Sequence, residues 1–121
     1  MHRSGARWVI RVVEDEWIVR SAIAQELRRA GWDVLEAGSG EAALACLQGS
    51  QRVDVIFTDI QLGGQVSGWD VAEHCRSAGR DMRIIYTSGN TVDRSRRVAG
   101  SQFFDKPYRL ADIVDACRNA S

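Results

Sequence analysis

A single lysine, Lys106, stands among fifteen arginines in this chain, directly before its only proline, Pro107. An ammonium is a compact point charge on a flexible stem and a guanidinium is a planar fork, so one lysine kept among arginines marks a position where the difference matters. A stray surface lysine fits the count equally well. What separates the two readings is whether anions converge on it. Glu14, Asp15 and Glu16 run consecutively, Asp59 follows an apolar run, and Thr87 and Ser88 follow another. Carboxylates gathered with no Cys or His suit a hard cation, magnesium or manganese, that keeps waters and can share a phosphate oxygen.

These residues are far apart in sequence, so regular elements must bring them together. Short β-branched runs alternate with segments of helical period, five times over. Strands are expected at 8–13, 33–37, 53–58, 83–86 and around 102–104, the third being the most hydrophobic and central. Helices are expected at 17–30, with Ile18, Ala22, Ile23 and Leu27 on one face, at 41–48 after a Ser39 cap, and at 69–77. A short arginine-rich helix over 92–98 and a last helix over 109–119, with Leu110, Ile113, Val114 and Cys117 on one face, complete the series. Gly31 and Gly49 stop the first two helices. Strict alternation implies an α/β fold with a parallel sheet covered on both faces.

The rest of the composition narrows the class. At 121 residues the chain is expected to be one folded domain over 8–121 behind a frayed segment 1–7, which lacks the apolar core of a signal peptide. Sixteen acidic and sixteen basic side chains cancel, so no overall field draws nucleic acid or an anionic membrane, and no apolar stretch is long enough to span a bilayer. Cys46, Cys75 and Cys117 are odd in number and widely spaced, as expected of reduced thiols in the cytoplasm.

In an open α/β sheet the ligand site lies outside the carboxyl ends of the strands. If the first, third, fourth and fifth strands are neighbours, Glu14, Asp15, Asp59, Ser88 and Lys106 face one shallow pocket. Each like-charge pair there, at about 4 Å, costs on the order of 1 kcal/mol in water and up to about 4 kcal/mol near a protein surface. Protonation of one acid or a bound hard cation would relieve it. Glu14–Glu16 could alternatively be a charged first helical turn complementing the helix dipole.

An acidic pair ending the first strand (Glu14-Asp15), an aspartate ending the third (Asp59), a hydroxyl followed by a small residue ending the fourth (Ser88-Gly89) and Lys106-Pro107 ending the fifth together resemble the receiver domain of two-component response regulators. The resemblance covers 9–117 and implies a flavodoxin-like, doubly wound (βα)5 fold with strand order 2-1-3-4-5. It implies that Asp59 accepts a phosphoryl group from a histidine kinase or phosphotransfer protein as an acyl phosphate. Magnesium or manganese would be held by Asp15, by Glu14 through water, by Asp59 and by the backbone carbonyl of Gln61. Lys106 would pair with Asp59 and then with a phosphoryl oxygen, and Ser88 would donate to another. Phe103 matches the family's switch aromatic, though an ordinary core phenylalanine fits its strand as well. A cis peptide would precede Pro107. Such a domain catalyses only its own phosphorylation and dephosphorylation, alone or as part of a hybrid kinase or larger regulator. It would be a monomer or weak homodimer meeting an output protein through the fourth helix, fifth strand and last helix, without direct nucleic-acid contact.

Thr87 is the fallback for Ser88, which is preferred because Gly89 leaves the pocket open. The loop after Asp59 lacks the family's proline and carries Gly63-Gly64, so greater mobility is expected. The stretch 90–102 is short, which leaves barely two helical turns bearing Arg94, Arg96 and Arg97; Asp93 and the neutral charge favour a solvated face or protein contact over nucleic acid. Gln61 and Asn90 lie where the family tunes water access. A haloacid-dehalogenase-type phosphatase needs a second carboxylate where Gln61 stands, and a binding-only pseudo-receiver would lack an acid or the lysine. His74 and Cys75 have no partners at zinc spacing, and the four tryptophans are expected at core edges, with Trp17 near the site.

Overall fold

The β-branched runs form β1 Val9–Val13, β2 Asp33–Ala37, β3 Val55–Asp59, β4 Arg83–Ser88 and β5 Gln102–Asp105. In the computed structural model, which describes residues 7–49 and 51–119, they make one parallel sheet in the order β2-β1-β3-β4-β5. Residues 1–6 of the expected frayed segment lie outside the described residues. The helices are α1 Trp17–Arg29, α2 Gly40–Leu47, α3 Gly68–Ser77 and α4 Leu110–Asn119.

Alternation along each strand sends side chains to two separate cores. On one face Val13, Ile56, Ile84 and Tyr86 meet Ala43 and Leu47 of α2 and Trp69, Val71, Ala72 and Cys75 of α3. On the other, Ile10, Val12, Val55, Phe57 and Ile85 meet Ala24 and Leu27 of α1 and Ile113 and Cys117 of α4. The central strand β3 contributes to both, and each fully buried side chain such as Ile56 is worth roughly 1.5–3 kcal/mol.

Two expectations need correction. Ile18 is 68% exposed and Ala22 is also exposed, because the inward stripe of α1 runs through Arg20, Ile23, Ala24 and Leu27 instead. Arg20 takes the first inward position by donating to the carbonyl of Glu14 at 2.9 Å and to Glu36 Oε1 at 3.2 Å. The helix expected over 92–98 is only a 3-10 turn, Arg94–Arg96. Val92 and Val98 lie six positions apart, so the segment has no apolar pair at helical spacing to bury, and three like charges crowd one turn. Asp93 Oδ1 accepts from the Ser95 amide at 2.9 Å, Arg97 is extended, and the Val98 amide donates to the Tyr86 hydroxyl at 3.2 Å. The tryptophans also divide: Trp32 and Trp69 are buried, whereas Trp17 is 65% exposed.

Ser39 caps α2 as its type predicts, accepting from the Ala42 amide at 3.0 Å. Helix α3 begins with a reciprocal cap: Ser67 Oγ accepts from the Asp70 amide at 3.2 Å, and the Ser67 amide donates to Asp70 Oδ2 at 2.8 Å. The Ser67 amide, and then Arg96, hold the Asp70 carboxyl below its usual range. A carboxyl so depressed adds stability above its unfolded pKa, about 3.9, and that stability is lost as pH falls through the folded value. Asp70→Ala is therefore expected to cost about 1 kcal/mol at neutral pH, with the difference from wild type shrinking in acid; urea unfolding at pH 7 and pH 3 checks it.

Candidate functional site

Strand register assembles the strand ends. Val13 pairs with Thr58, Asp59 with Thr87, and Ser88 with Asp105, so Glu14, Asp59, Ser88 and Lys106 emerge along one edge of the sheet. The Lys106 amide donates to the Ser88 carbonyl at 2.8 Å, carrying the ladder one residue past β5, and the Lys106–Pro107 peptide is cis. Lys106 Nζ then lies 2.8 Å from Asp59 Oδ2 and 3.7 Å from Glu14 Oε1. The ammonium bridges the two acids that the sequence places 45 residues apart.

The carboxylates are not equivalent. Glu14 is only 4% exposed, and burial pushes its carboxyl up to about 7. The Glu16 amide, donating to Glu14 Oε2 at 2.9 Å, opposes that rise, Asp15 and Asp59 add to it, and Lys106 relieves it. For Lys106 burial works downward, but the hydrogen bond and charge of Asp59 and the charge of Glu14 outweigh it, so the ammonium is held above its ordinary range. Asp15 is exposed, and its Oδ2 accepts from the Gly63 amide at 3.0 Å. Asp59 Oδ1 faces the Gln61 amide at 3.4 Å.

Ser88 and Lys106 share the wall of a surface cavity of about 360 Å³. Thr87, on the opposite face of β4, sits instead with Glu14, Asp59, Phe57 and Tyr108. The Ser88 hydroxyl donates to the Asn90 carbonyl at 3.1 Å and accepts from the Asn90 amide at 3.2 Å. Asn90 Nδ2 donates to Gln61 Oε1 at 2.5 Å, tying the loop after β4 to the loop after β3. Phe103 is half-buried, its ring centroid 6.2 Å from those of both Trp69 and Tyr86.

The glycine-rich loop 61–67 has its own restraints. Besides the bond to Asp15, the Gln65 amide donates to Glu41 Oε2 at 3.1 Å, so carboxylates tether a loop that has no proline. The arginines of the 3-10 turn are spent internally: Arg94 pairs with Asp105 at 2.9 Å, Arg96 with Asp70 at 2.8 Å and Glu73 at 2.7 Å, and Arg97 bonds Ser101. All three stay on the exposed face that the sequence predicts, with their charge met by these partners. Cys46, Cys75 and Cys117 are free thiols, and burial raises Cys75 and pushes Cys117 up to about 12.

Sequence reasoning passed over three contributors. Arg20 fixes the Glu14 backbone, Glu41 holds the glycine loop, and Tyr108 lines the cleft beside Glu14 and Asp59, its hydroxyl pushed up to about 12 by burial. Only Tyr108 carried a signal, its place directly after Lys106-Pro107.

Residues 10–118 match the model of the response regulator receiver domain. The chain belongs to this family. A response regulator receiver protein from Sinorhizobium medicae superposes with a TM-score of 0.89 at 28% identity, covering 97% of this chain and 96% of that one. A probable transcriptional regulatory protein of Mycobacterium tuberculosis, TcrX, is 28% identical over 85% of this chain but only 45% of its own length. A cyclic di-GMP phosphodiesterase of Thermotoga maritima is 30% identical over 89% of this chain and 30% of its own. The receiver thus spans less than half of the length of these two curated relatives. As a receiver domain of two-component systems it is a signalling domain, with the flavodoxin-like strand order that the family resemblance implies. No helix among the described residues is long and apolar enough to cross a membrane.

Proposed function

We propose that this receiver accepts a phosphoryl group on Asp59 from a histidine kinase or phosphotransfer protein and changes conformation in response. The observation that carries the reading is the Lys106 ammonium at 2.8 Å from Asp59 Oδ2, with Glu14 and Asp15 beside it at the strand ends. An Asp59 carboxylate oxygen attacks phosphorus, the new P–O bond forms, and the bond to the donor breaks with its electron pair leaving on the donor. Lys106, poised between two carboxylates, then has a phosphoryl oxygen to pair with. Ser88 turns its hydroxyl from the Asn90 backbone to another phosphoryl oxygen, and Phe103 moves toward the space so vacated.

The donor set fits a magnesium or manganese ion. Among the described residues no three His, Cys, Asp or Glu side chains converge closely enough to hold an ion alone. The oxygens available are those of Asp15 and Asp59, the Gln61 carbonyl, and Glu14 through water. Magnesium favours such a site, keeping several waters beside one or two carboxylates and a substrate phosphate. When bound it would neutralise charge developing on the phosphoryl oxygens.

The output is a protein reached through the surface of β5 and α4, as a separate partner or as a further part of a larger regulator. The differing names of the two curated relatives support such variety. Direct nucleic-acid contact is not part of this reading, since the arginines are paired internally. The domain acts in the cytoplasm as a monomer or weak homodimer, and it catalyses only its own phosphorylation and dephosphorylation.

Intact mass spectrometry after incubation with acetyl phosphate and magnesium is expected to show one added phosphoryl group, labile to alkali and lost when EDTA is present from the start. No adduct at saturating donor would sink the phosphoacceptor reading.

A further inference from the structure

Arg94 does more than fill the place of a missing helix. Its guanidinium carbon lies 3.8 Å from the centroid of the Phe103 ring, and its Nη2 donates to Asp105 Oδ1 at 2.9 Å. Both Arg94 and Asp105 line the 360 Å³ cavity that Ser88 and Lys106 also line, whereas Phe103 does not. The ring is instead held against Trp69 and Tyr86 with the guanidinium over it.

We infer that Arg94 is a positioning residue, anchored by Asp105, that clasps Phe103 outside the Ser88–Lys106 cavity and so sets how readily the phosphoryl site switches. The inference rests on the phosphoacceptor reading for its consequence but not for its geometry. The 3-10 turn is what makes the clasp possible: Asp93 caps Ser95, the chain extends at Arg97, and Arg94 is left over β5. A cation over an aromatic face is attracted by the ring quadrupole, and the planar guanidinium can stack while Asp105 fixes its direction. Inward movement of Phe103 would break the present stack, in which the guanidinium carbon lies 3.8 Å from the ring centroid. The clasp thus favours the resting state, and its removal should favour the switched one.

The test has two arms on the full chain. In the unliganded protein, NMR cross-peaks from a ring-labelled Phe103 to Trp69 and Tyr86 should be strong in wild type and weaker in Arg94→Gln. With magnesium present, the affinity for beryllofluoride, a phosphoryl mimic, should tighten about two- to fivefold in Arg94→Gln, the factor that an exposed cation–π contact corresponds to. Asp105→Asn should shift both readouts the same way by less, and Arg94→Lys should partly restore wild type. General loss of packing would lower the melting temperature without tightening the mimic. Cross-peaks and affinity both unchanged in Arg94→Gln would overturn the clasp. Wild type that binds no beryllofluoride would overturn the phosphoacceptor reading alone, and the ring cross-peaks would then decide the clasp by themselves.

Discussion

Asp59→Asn is expected to take up no phosphoryl group from acetyl phosphate while folding as wild type does. The amide has nearly the shape of the carboxylate, and its oxygen can still accept from Lys106 Nζ, which donates to Asp59 Oδ2 at 2.8 Å. The Gln61 amide, 3.4 Å from Oδ1, loses only a long contact. An uncharged amide, however, is a poor nucleophile toward phosphorus, so the labelled fraction should fall at least about a thousandfold. Intact mass after a fixed incubation reads the loss, and thermal unfolding within a few degrees of wild type shows that the fold is retained. Asp15 and Glu16 are exposed carboxylates on the same edge. An undiminished adduct in Asp59→Asn would assign the acceptor role to one of them and discard Asp59.

The strand ends were legible in the sequence because each pairs a long apolar run with an abrupt polar residue, and strict alternation leaves few ways to order such strands. That logic set Glu14, Asp59 and Lys106 on one pocket provided that their strands were neighbours, and the pairing of Lys106 with Asp59 was implied by the family resemblance. It failed where burial depends on a partner element. The inward stripe of α1 passes through Arg20, which a hydrophobic pattern skips, because the guanidinium is satisfied by the Glu14 carbonyl and Glu36. The helix expected over 92–98 failed for a related reason. Arg94 and Arg96 find acceptors across the chain, on Asp105 and on Asp70 and Glu73, that helical periodicity does not offer. The tethers of the Gly63-Gly64 loop to Asp15 and Glu41 were not legible, since an acid 48 or 24 residues away leaves no local trace.

Gly68→Ala is expected to be the most damaging alanine substitution among the described glycines. A Cβ there would sit 2.2 Å from the Asp59 carbonyl oxygen and 3.0 Å from Ile60 Cα, so backbone must move. Neither side has room to retreat. The strand end is fixed because the Ile60 amide donates to the Thr87 carbonyl at 3.0 Å, and the Gly68 amide donates to the Ile60 carbonyl at 2.9 Å. The start of α3 is fixed by the Ser67–Asp70 cap and by Trp69, whose ring lies 4.6 Å from that of Tyr86. Opening the contact needs a displacement of about 1 Å, at a cost of about 3 kcal/mol and a fall in melting temperature of roughly 10 °C. Asp59 is the residue displaced, and a misplacement of that size can slow a reaction about a hundredfold, so phosphorylation by acetyl phosphate should slow along with the loss of stability. Gly89→Ala supplies the contrast: its Cβ would meet Lys106 Cδ at 3.7 Å, an ordinary contact, and both stability and phosphorylation should stay near wild type. A Gly68→Ala protein that melts and phosphorylates like Gly89→Ala would mean that α3 does not press against Asp59 and that this glycine has no part in placing the acceptor.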